Sequence, residues 1–299
     1  MTDPTHSEFE RLLKELRPKL HRYCARMAGS AVDGEDILQD AMMKAFTAWP
    51  NAGIIANPGG WLFRITHNTA LDFLRRNARG PMLEHDEALD RIAAPDTSDH
   101  DHEAAATSLR TFMRLPALQR SAVILKDVLD HSLEEIASIT GATEPAAKSA
   151  LQRGRVRLRE FAKEPADASP PTLSDAMRAR LTLYVDGFRM GDFDTIRAML
   201  ADDVKLDLVA TLRKQGKSQV GEYYAAYAAA KQWAYAAAIV DGRAAMLVYD
   251  RDVSLETPAY FVGVDFDGDG VVSIHDFLYA RYAMEGVALF PLNSTVASH

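Results

Sequence analysis

The sequence contains a single cysteine, Cys24, among 299 residues. One thiol excludes an internal disulfide framework and a zinc site built from several cysteines. A run of about 18 apolar residues is also missing, so the sequence predicts no membrane span. The first residues lack a basic patch followed by an apolar stretch, which is the pattern of a secretory signal. We therefore expect a cytoplasmic protein.

Positive charge is in the minority, with 34 Lys and Arg against 42 Asp and Glu and a formal net charge of -8. The two signs are unevenly distributed along the chain. Residues 108–163 carry 10 basic and 6 acidic side chains, whereas residues 82–107 carry 1 and 8. Residues 164–299 carry 12 basic and 19 acidic side chains. This asymmetry predicts different partners for different segments.

The segment with the basic excess contains a pattern typical of a helix-turn-helix. Ser132 and Glu135 have the spacing of a capping box at the start of a first helix. Gly141 can adopt the positive φ of a turn at little cost. Thr143 can cap a second helix, and Pro145 falls in its first turn, where no N–H is missed. In this motif the second helix lies in the major groove of DNA. The alternative is a solvated charged helix in an ordinary bundle.

Three side chains of the second helix are spaced to share one face: Lys148, Gln152 and Arg155. Glutamine can read adenine with two hydrogen bonds, and arginine reads guanine or phosphate. Three further cations are predicted to contact phosphates or to form salt bridges: Arg153, Arg157 and Arg159. Two small residues, Ala147 and Ala150, are predicted to let this helix approach the groove closely.

The remaining pattern divides the chain into domains and linkers. Apolar residues recur at helical spacing in residues 8–28, 33–48 and 60–77, although Pro18 is predicted to kink or divide the first helix. We expect a helical domain over residues 1–80, an acidic linker over 81–107, the helix-turn-helix domain over 108–163, a Pro-rich linker over 164–172 and a third domain over 173–299.

The third domain has a different pattern of apolar residues from the first two. A helix pair broken at Gly191 is followed by alternating strand patterns, and one pair of strands is joined by Asp241-Gly242, a typical hairpin turn. Helices that precede a set of antiparallel strands predict an α+β domain.

Two groups of residues in this domain are candidate sites. Asp265, Asp267, Asp269 and Asp276 nearly match a calcium-binding loop, but the preceding AYFVGV favours a strand, hence a hairpin without metal. The candidates for acid–base work in a pocket are Asp207, His275 and Asp276, for which a structural role is favoured. We therefore expect no catalytic residue and no cofactor.

Residues 1–163 resemble the extracytoplasmic-function class of bacterial sigma factors. Three segments carry the resemblance in the family's order: GEDILQDAMMKAF (34–46), PGGWLFRITHNTALDFLRR (58–76) and residues 115–160. The resemblance implies that the first docks on core RNA polymerase and the second recognises and melts the −10 promoter element. It implies that the third reads the −35 element.

The resemblance also implies roles for single residues. The predicted polymerase-docking face consists of Asp36, Gln39 and Asp40. The predicted −10 contacts are Arg64, Asn68, Asp72, Arg75 and Arg76. Asp72 is predicted to pair with Arg75 or Arg76 and to orient them, because three or four residues separate neighbours on one helix face. Trp61 is predicted to be a core residue rather than a stacking platform. The acidic linker is predicted either to pass through the polymerase cleft or to be a solubilising tether.

The segment VDGFRMGDFDTIRAMLADDVKLDL (185–208) resembles the SnoaL-like domain. That resemblance implies a cone-shaped curved sheet packed by helices, with a possible pocket for a small ligand. The sequence as a whole predicts a sigma factor that binds core RNA polymerase and promoter DNA and is regulated in cis by its SnoaL-like domain. The alternative is a helix-turn-helix regulator fused to a ligand-sensing or catalytic SnoaL-like domain, which would need neither 34–46 nor 58–76.

Overall fold

The structure, a computed structural model, describes residues 4–77, 108–164 and 171–292, with side chains from residue 7 onwards. The chain divides into two compact units, residues 1–167 (unit 1) and residues 168–299 (unit 2). The predicted linker 81–107 and residues 165–170 of the second linker lie outside the described residues. Among the helices that are described, none has both the length and the apolar character to cross a membrane.

Unit 1 begins with three helices: α1 (Pro4–Ala28), α2 (Ala31–Ala48) and α3 (Pro58–Asn77). A short 3-10 turn, Trp49–Asn51, follows α2. The side chain of Ser30 accepts a hydrogen bond from the Asp33 backbone and so caps α2. Helix α1 continues through Pro18, so the predicted division of this helix does not occur. Apolar residues on both sides of the proline, such as Leu13 and Leu20, are buried and hold the two halves in one helix.

The second half of unit 1 has the predicted helix-turn-helix. The helical elements of this second half are α4 (Leu109–Phe112), α5 (Ala117–Val123), a π-helical segment (Ile124–Val128), α6 (Leu133–Thr140) and α7 (Glu144–Lys163). Helices α6 and α7 form the helix-turn-helix. The capping box of Ser132 and Glu135 is present, and Gly141 ends α6 with a φ of 72°. Thr143 caps α7 through the backbone N–H of Ala146, with a proline in the first turn. The local rules that predicted this motif are confirmed.

The two halves of unit 1 share a hydrophobic core. One cluster of buried residues includes Tyr23 and Phe63 from the first half and Phe112, Val123 and Ile136 from the second. Burial of one such side chain stabilises a fold by roughly 1.5–3 kcal/mol. The two regions that were predicted as separate domains are therefore packed together in this structure.

Unit 2 combines three described helices with a sheet. The helices are α8 (Asp175–Met190), α9 (Phe193–Ala198) and α10 (Lys217–Ala229). Gly191 ends α8 with a φ of 69°, as the predicted break requires. The strands are β1 (Leu200–Leu208), β2 (Leu212–Gln215), β3 (Trp233–Val240), β4 (Arg243–Asp250), β5 (Tyr260–Asp267), β6 (Gly270–Asp276) and β7 (Leu289–Pro291).

The strand order is β2-β1-β6-β5-β4-β3-β7. Strands β1 and β6 pair in parallel, and the other described pairs are antiparallel. Positive φ angles at Asp241 and Gly242 form the tight turn between β3 and β4. Helix α8 packs on β3 and β4, and α10 packs on β1. The predicted α+β class is confirmed.

Candidate nucleic-acid interface

The N-terminal half of α7 presents a narrow strip of polar side chains. Lys148 and Ser149 are exposed and Gln152 is half-buried. Ser149 was not singled out from the sequence, because serine occurs on most solvated helix faces, although its hydroxyl can contact several bases. Ala147 and Ala150 are fully buried in the core of unit 1, so their predicted place at the groove is wrong. They are small because α7 packs closely on α5.

Arg155 lies on a more buried part of the same helix. Its Nε donates to Asp127 Oδ2 at 2.9 Å and its Nη2 to Asp127 Oδ1 at 2.5 Å. The Asp127 side chain is 1% exposed and belongs to the π-helical segment. A two-pronged bond of this kind to a buried carboxylate is a strong constraint. A base contact by Arg155 stays a prediction, and it would compete with this pair.

The outer face of α3 carries the predicted −10 contacts. Four of these side chains are exposed: Arg64, Asn68, Arg75 and Arg76. The spacing of Arg64, Asn68, Asp72 and Arg75 places them on one stripe of the helix. Trp61 instead packs with Phe9 and Trp49, at ring-centroid distances of 6.2 and 5.8 Å. Trp61 is half-buried and packs against the core cluster that contains Phe9, as a structural residue would.

Ion pairs connect this stripe to α2. Arg75 Nη1 lies 2.9 Å from Asp72 Oδ1, which confirms the predicted pairing. Lys44 Nζ lies 3.6 Å from the other Asp72 oxygen, and Arg76 Nη2 lies 3.8 Å from Asp40 Oδ2. All of these groups are well exposed, so each pair contributes little to stability. Their effect is to place the predicted docking residue Asp40 beside the predicted DNA contacts.

The predicted docking face of α2 has members of different kinds. Asp40 is exposed and Asp36 is half-buried. Gln39 Nε2 donates to Glu35 Oε1 at 2.9 Å, and Arg17 of α1 bonds the same oxygen. The Glu35 side chain is fully buried. Gln39 therefore helps to hold the α1–α2 contact, whereas Asp40 is the member that projects most freely.

Polar groups are buried where the two halves of unit 1 meet, and no pattern in the sequence predicts them. The Tyr23 hydroxyl lies 2.7 Å from His67 Nδ1 and 3.1 Å from Ser121 Oγ. Burial lowers the pKa of His67 to about 4, so this ring is neutral at pH 7. The predicted DNA-facing helix α3 and helix α5 of the second half of unit 1 are thus joined by hydrogen bonds through α1.

Arg120 of α5 forms further hydrogen bonds where the two halves of unit 1 meet. Its Nη1 donates to the Met27 carbonyl at the end of α1 at 2.5 Å, and its Nη2 donates to Leu115 O at 2.9 Å. Burial lowers the pKa of Arg120 to about 10, which leaves the guanidinium charged at neutral pH. A cation at a helix C-terminus interacts favourably with the helix dipole.

The acidic candidates of unit 2 do not converge. Asp265 lies 3.8 Å from Arg243, Asp269 pairs with Arg180, and Asp276 is fully buried. The predicted hairpin is confirmed by β5 and β6. Within residues 4–77, 108–164 and 171–292, no group of three His, Cys, Asp or Glu side chains could hold a metal ion.

Asp276 and His275 are neighbours in β6, so their side chains point to opposite faces of the sheet. His275 pairs in register with Asp207 of β1. Asp276 Oδ2 accepts hydrogen bonds from Tyr223 at 2.5 Å and Tyr227 at 2.7 Å. Burial raises the pKa of Asp276, although the two phenol hydrogen bonds oppose that shift. The three predicted candidates are thus divided between two faces.

Comparison with known families follows the same division of the chain. Residues 12–80 match the model of Sigma-70 region 2, and residues 109–158 match that of Sigma-70, region 4. Together with the helix-turn-helix and the exposed α3 stripe, these matches define a protein of the sigma-70 class. A plain helix-turn-helix regulator, which was the alternative function, would not need a segment that matches sigma region 2.

Individual relatives narrow the class. The chain is 32% identical over 160 residues to ECF RNA polymerase sigma factor SigE of Mycolicibacterium smegmatis, which covers 51% of this chain and 61% of that protein. It is 33% identical over 153 residues to ECF RNA polymerase sigma factor SigM of Mycobacterium tuberculosis. This alignment covers 50% of this chain and 74% of that protein. The chain belongs to the ECF RNA polymerase sigma factors.

One solved structure aligns along most of the chain. The crystal structure of Mycobacterium tuberculosis extracytoplasmic function sigma factor SigJ covers 90% of this chain and 94% of its own, at 21% identity and a TM-score of 0.36. The α+β class of unit 2 is established by its own helices and strand order.

Proposed function

We propose that this chain binds core RNA polymerase and directs transcription initiation at particular promoters. Unit 1 supplies the surfaces for this activity, and unit 2 regulates them in cis. The observation that carries the proposal is that polar side chains reach the surface on three helices that match sigma regions 2 and 4. These surfaces are Asp36 and Asp40 on α2, the stripe from Arg64 to Arg75 on α3, and Lys148, Ser149 and Gln152 on α7.

Charge reversal on α2 tests docking. Asp36→Lys with Asp40→Lys should weaken co-purification with core polymerase and lower run-off transcription at least tenfold, because a basic docking partner would then meet two cations. Reversal of Glu10, an exposed acid on α1, is the matched control and should change neither measurement. Unchanged binding of the double variant would show that core polymerase does not dock on this face of α2.

A promoter panel tests the reading strip on α7. Gln152→Ala should cost about 1–3 kcal/mol of binding free energy, concentrated at particular −35 bases, since glutamine would make a direct base contact. Arg157→Ala should weaken all sequences alike and reduce the salt dependence of binding. An equal loss of binding free energy for Gln152→Ala at every promoter of the panel would show that Gln152 does not read particular bases.

Arg155 is assigned a mixed role. Its removal would leave the carboxylate of Asp127 buried without this partner, which is costly for the fold. Loss of DNA binding by an Arg155 variant therefore needs a parallel measurement of the unfolding temperature before it is read as a lost base contact.

The packed form of unit 1 is the state that precedes promoter binding in this proposal. Elements named −10 and −35 lie about 25 base pairs apart, which is about 85 Å at 3.4 Å per base pair. A compact unit of this length has a radius of gyration of only about 15 Å. Unit 1 cannot read both elements while Tyr23, His67 and Ser121 remain in contact, so its halves must separate on polymerase.

Regulation by unit 2 is proposed from charge and from covalent attachment. Residues 164–299 carry 12 basic and 19 acidic side chains, and residues 108–163 carry 10 and 6. Opposite net charges on attached parts of one chain favour association, at a high effective concentration. Removal of residues 172–299 should change run-off transcription several-fold. Equal activity of full-length and truncated protein across a salt series would show that unit 2 has no such role.

A further inference from the structure

A cavity of about 390 Å³ opens in unit 2 near the C-terminal ends of α8 and α10 and the start of β3. This volume lies within the usual range of small-molecule sites, towards its lower end. Neither the proposed promoter contacts nor the proposed docking face uses it. Its lining falls into two groups of side chains with different chemistry.

The first group is aromatic and belongs to the core. Phe188, Phe193, Tyr227 and Tyr235 line the cavity and are each less than 10% exposed. The ring centroid of Phe188 lies 5.2 Å from those of Tyr227 and Tyr235 and 5.6 Å from that of Phe193. These rings are fixed by core packing, and their small exposed parts form a rigid apolar wall that can contact one part of a flat hydrophobic ligand.

The second group is cationic and consists of Arg189, Lys231 and Arg251. Arg189 Nε donates to the Tyr235 carbonyl at 3.0 Å, and Arg251 Nε donates to the Trp233 carbonyl at 3.2 Å. Residues 233 and 235 are two apart on β3, so the two guanidinium groups are anchored along the same edge of the cavity. Burial raises the pKa of Tyr235, and the positive charge of Arg251 opposes that rise in part.

The sum of charges at the cavity is positive. No carboxylate occurs among the described residues that line it. Arg189 Nη1 does contact Asp186 at 3.0 Å, which offsets part of one charge. The C-terminus of each helix adds about −0.5 of a charge, or about −1 for α8 and α10 together. The three basic side chains still leave the balance of these charges positive.

We propose that this cavity binds a small organic anion with a flat aromatic body and a single carboxylate. The aromatic wall takes the ring system, and Arg189, Lys231 and Arg251 pair with the carboxylate. Asp276 does not line the cavity, although its partner Tyr227 does, so the inference concerns binding alone. It goes beyond the proposed transcription function and does not depend on it.

The test measures binding of 2-naphthoate to the full-length chain by titration calorimetry, with 2-naphthamide as a neutral ligand of nearly the same shape. Naphthoate should bind at least tenfold more tightly than naphthamide. Its affinity should fall as salt is raised, because exposed charges are screened. Equal affinities for the acid and the amide would overturn the proposal, and so would a lack of saturable binding of naphthoate at millimolar concentration.

Variants at exposed positions locate the site. Lys231→Gln and Arg251→Gln should each weaken naphthoate binding several-fold, whereas Lys217→Gln, an exposed cation outside the cavity, should not. Ala228→Trp should fill the cavity and abolish binding of both ligands. Ala225→Trp, which lies on the same helix away from the cavity, should leave binding intact.

Circular dichroism establishes that each variant is folded before its titration. Naphthoate binding that survives in folded Ala228→Trp would place the ligand elsewhere and overturn the proposal. These titrations need no polymerase or promoter, so their failure would leave the transcription function untouched, and a failed run-off assay would leave this site untouched.

Discussion

A disulfide between the two halves of unit 1 should abolish transcription, and reduction should restore it. A Cβ atom built on Gly29 would lie 2.5 Å from Met113 Cγ. Since Cγ is one bond of about 1.5 Å from Cβ, the two Cβ atoms would be no more than about 4 Å apart, close to the usual disulfide separation. Gly29→Cys with Met113→Cys should therefore cross-link on oxidation, despite a strain of about 1–3 kcal/mol from the positive φ at residue 29.

The expected effect is large because the cross-link prevents the separation that promoter reading requires. Oxidised protein should lose more than tenfold in run-off transcription and regain it with dithiothreitol. The single variants control for the substitutions themselves, and the native Cys24 is buried and a poor competitor. Full activity of the oxidised, cross-linked protein would mean that both promoter elements are reached in the packed form.

Gly34→Ala should destabilise unit 1 by about 1–3 kcal/mol, because it inserts a methyl group into a contact that has no room. A Cβ at residue 34 would lie 2.6 Å from both the Cα and the backbone N of Ala25. A backbone cannot rotate away as a side chain can, so α2 would have to move off α1. Chemical denaturation followed by helical circular dichroism measures the change.

Gly59→Ala is the matched control for this substitution. Gly59 lies in the first turn of α3, and a Cβ there would come no closer than 3.6 Å to any neighbour, which is ordinary contact. Alanine is also the better helix former, so this variant should be neutral or slightly stabilised. Comparable losses for the two variants would show that close approach of α1 and α2 is not what requires glycine at residue 34.

The sequence predicted those features that depend on residues a few positions apart. The capping box of Ser132 and Glu135, the turn at Gly141 and the hairpin at Asp241-Gly242 all follow from local backbone preferences. The pairing of Asp72 with Arg75 follows from the same helical spacing. Each of these interactions forms within one turn of a helix or one hairpin, so its geometry is set by neighbours in the sequence.

Features that depend on distant partners were missed or misplaced. Ala147 and Ala150 were predicted at the DNA surface because small size suits both a groove and a tight helix contact. The bond from Arg155 to Asp127 spans 28 positions. The polar contact of Tyr23, His67 and Ser121 joins three helices, and no spacing within the sequence announces it. Periodicity identifies a helix face but does not say what covers that face.

The bond between Arg155 and Asp127 has a consequence for how this protein can change. It fastens the middle of α7 to the domain beneath it, so the orientation of the helix does not depend on which side chains stand at positions 148, 149 and 152. Lys148 and Ser149 are exposed and Gln152 is half-buried, so substitutions at these three positions should cost little in folding, least at the first two. Libraries randomised at Lys148, Ser149 and Gln152 should therefore retain most of their members as folded proteins, and we expect altered promoter preference among them.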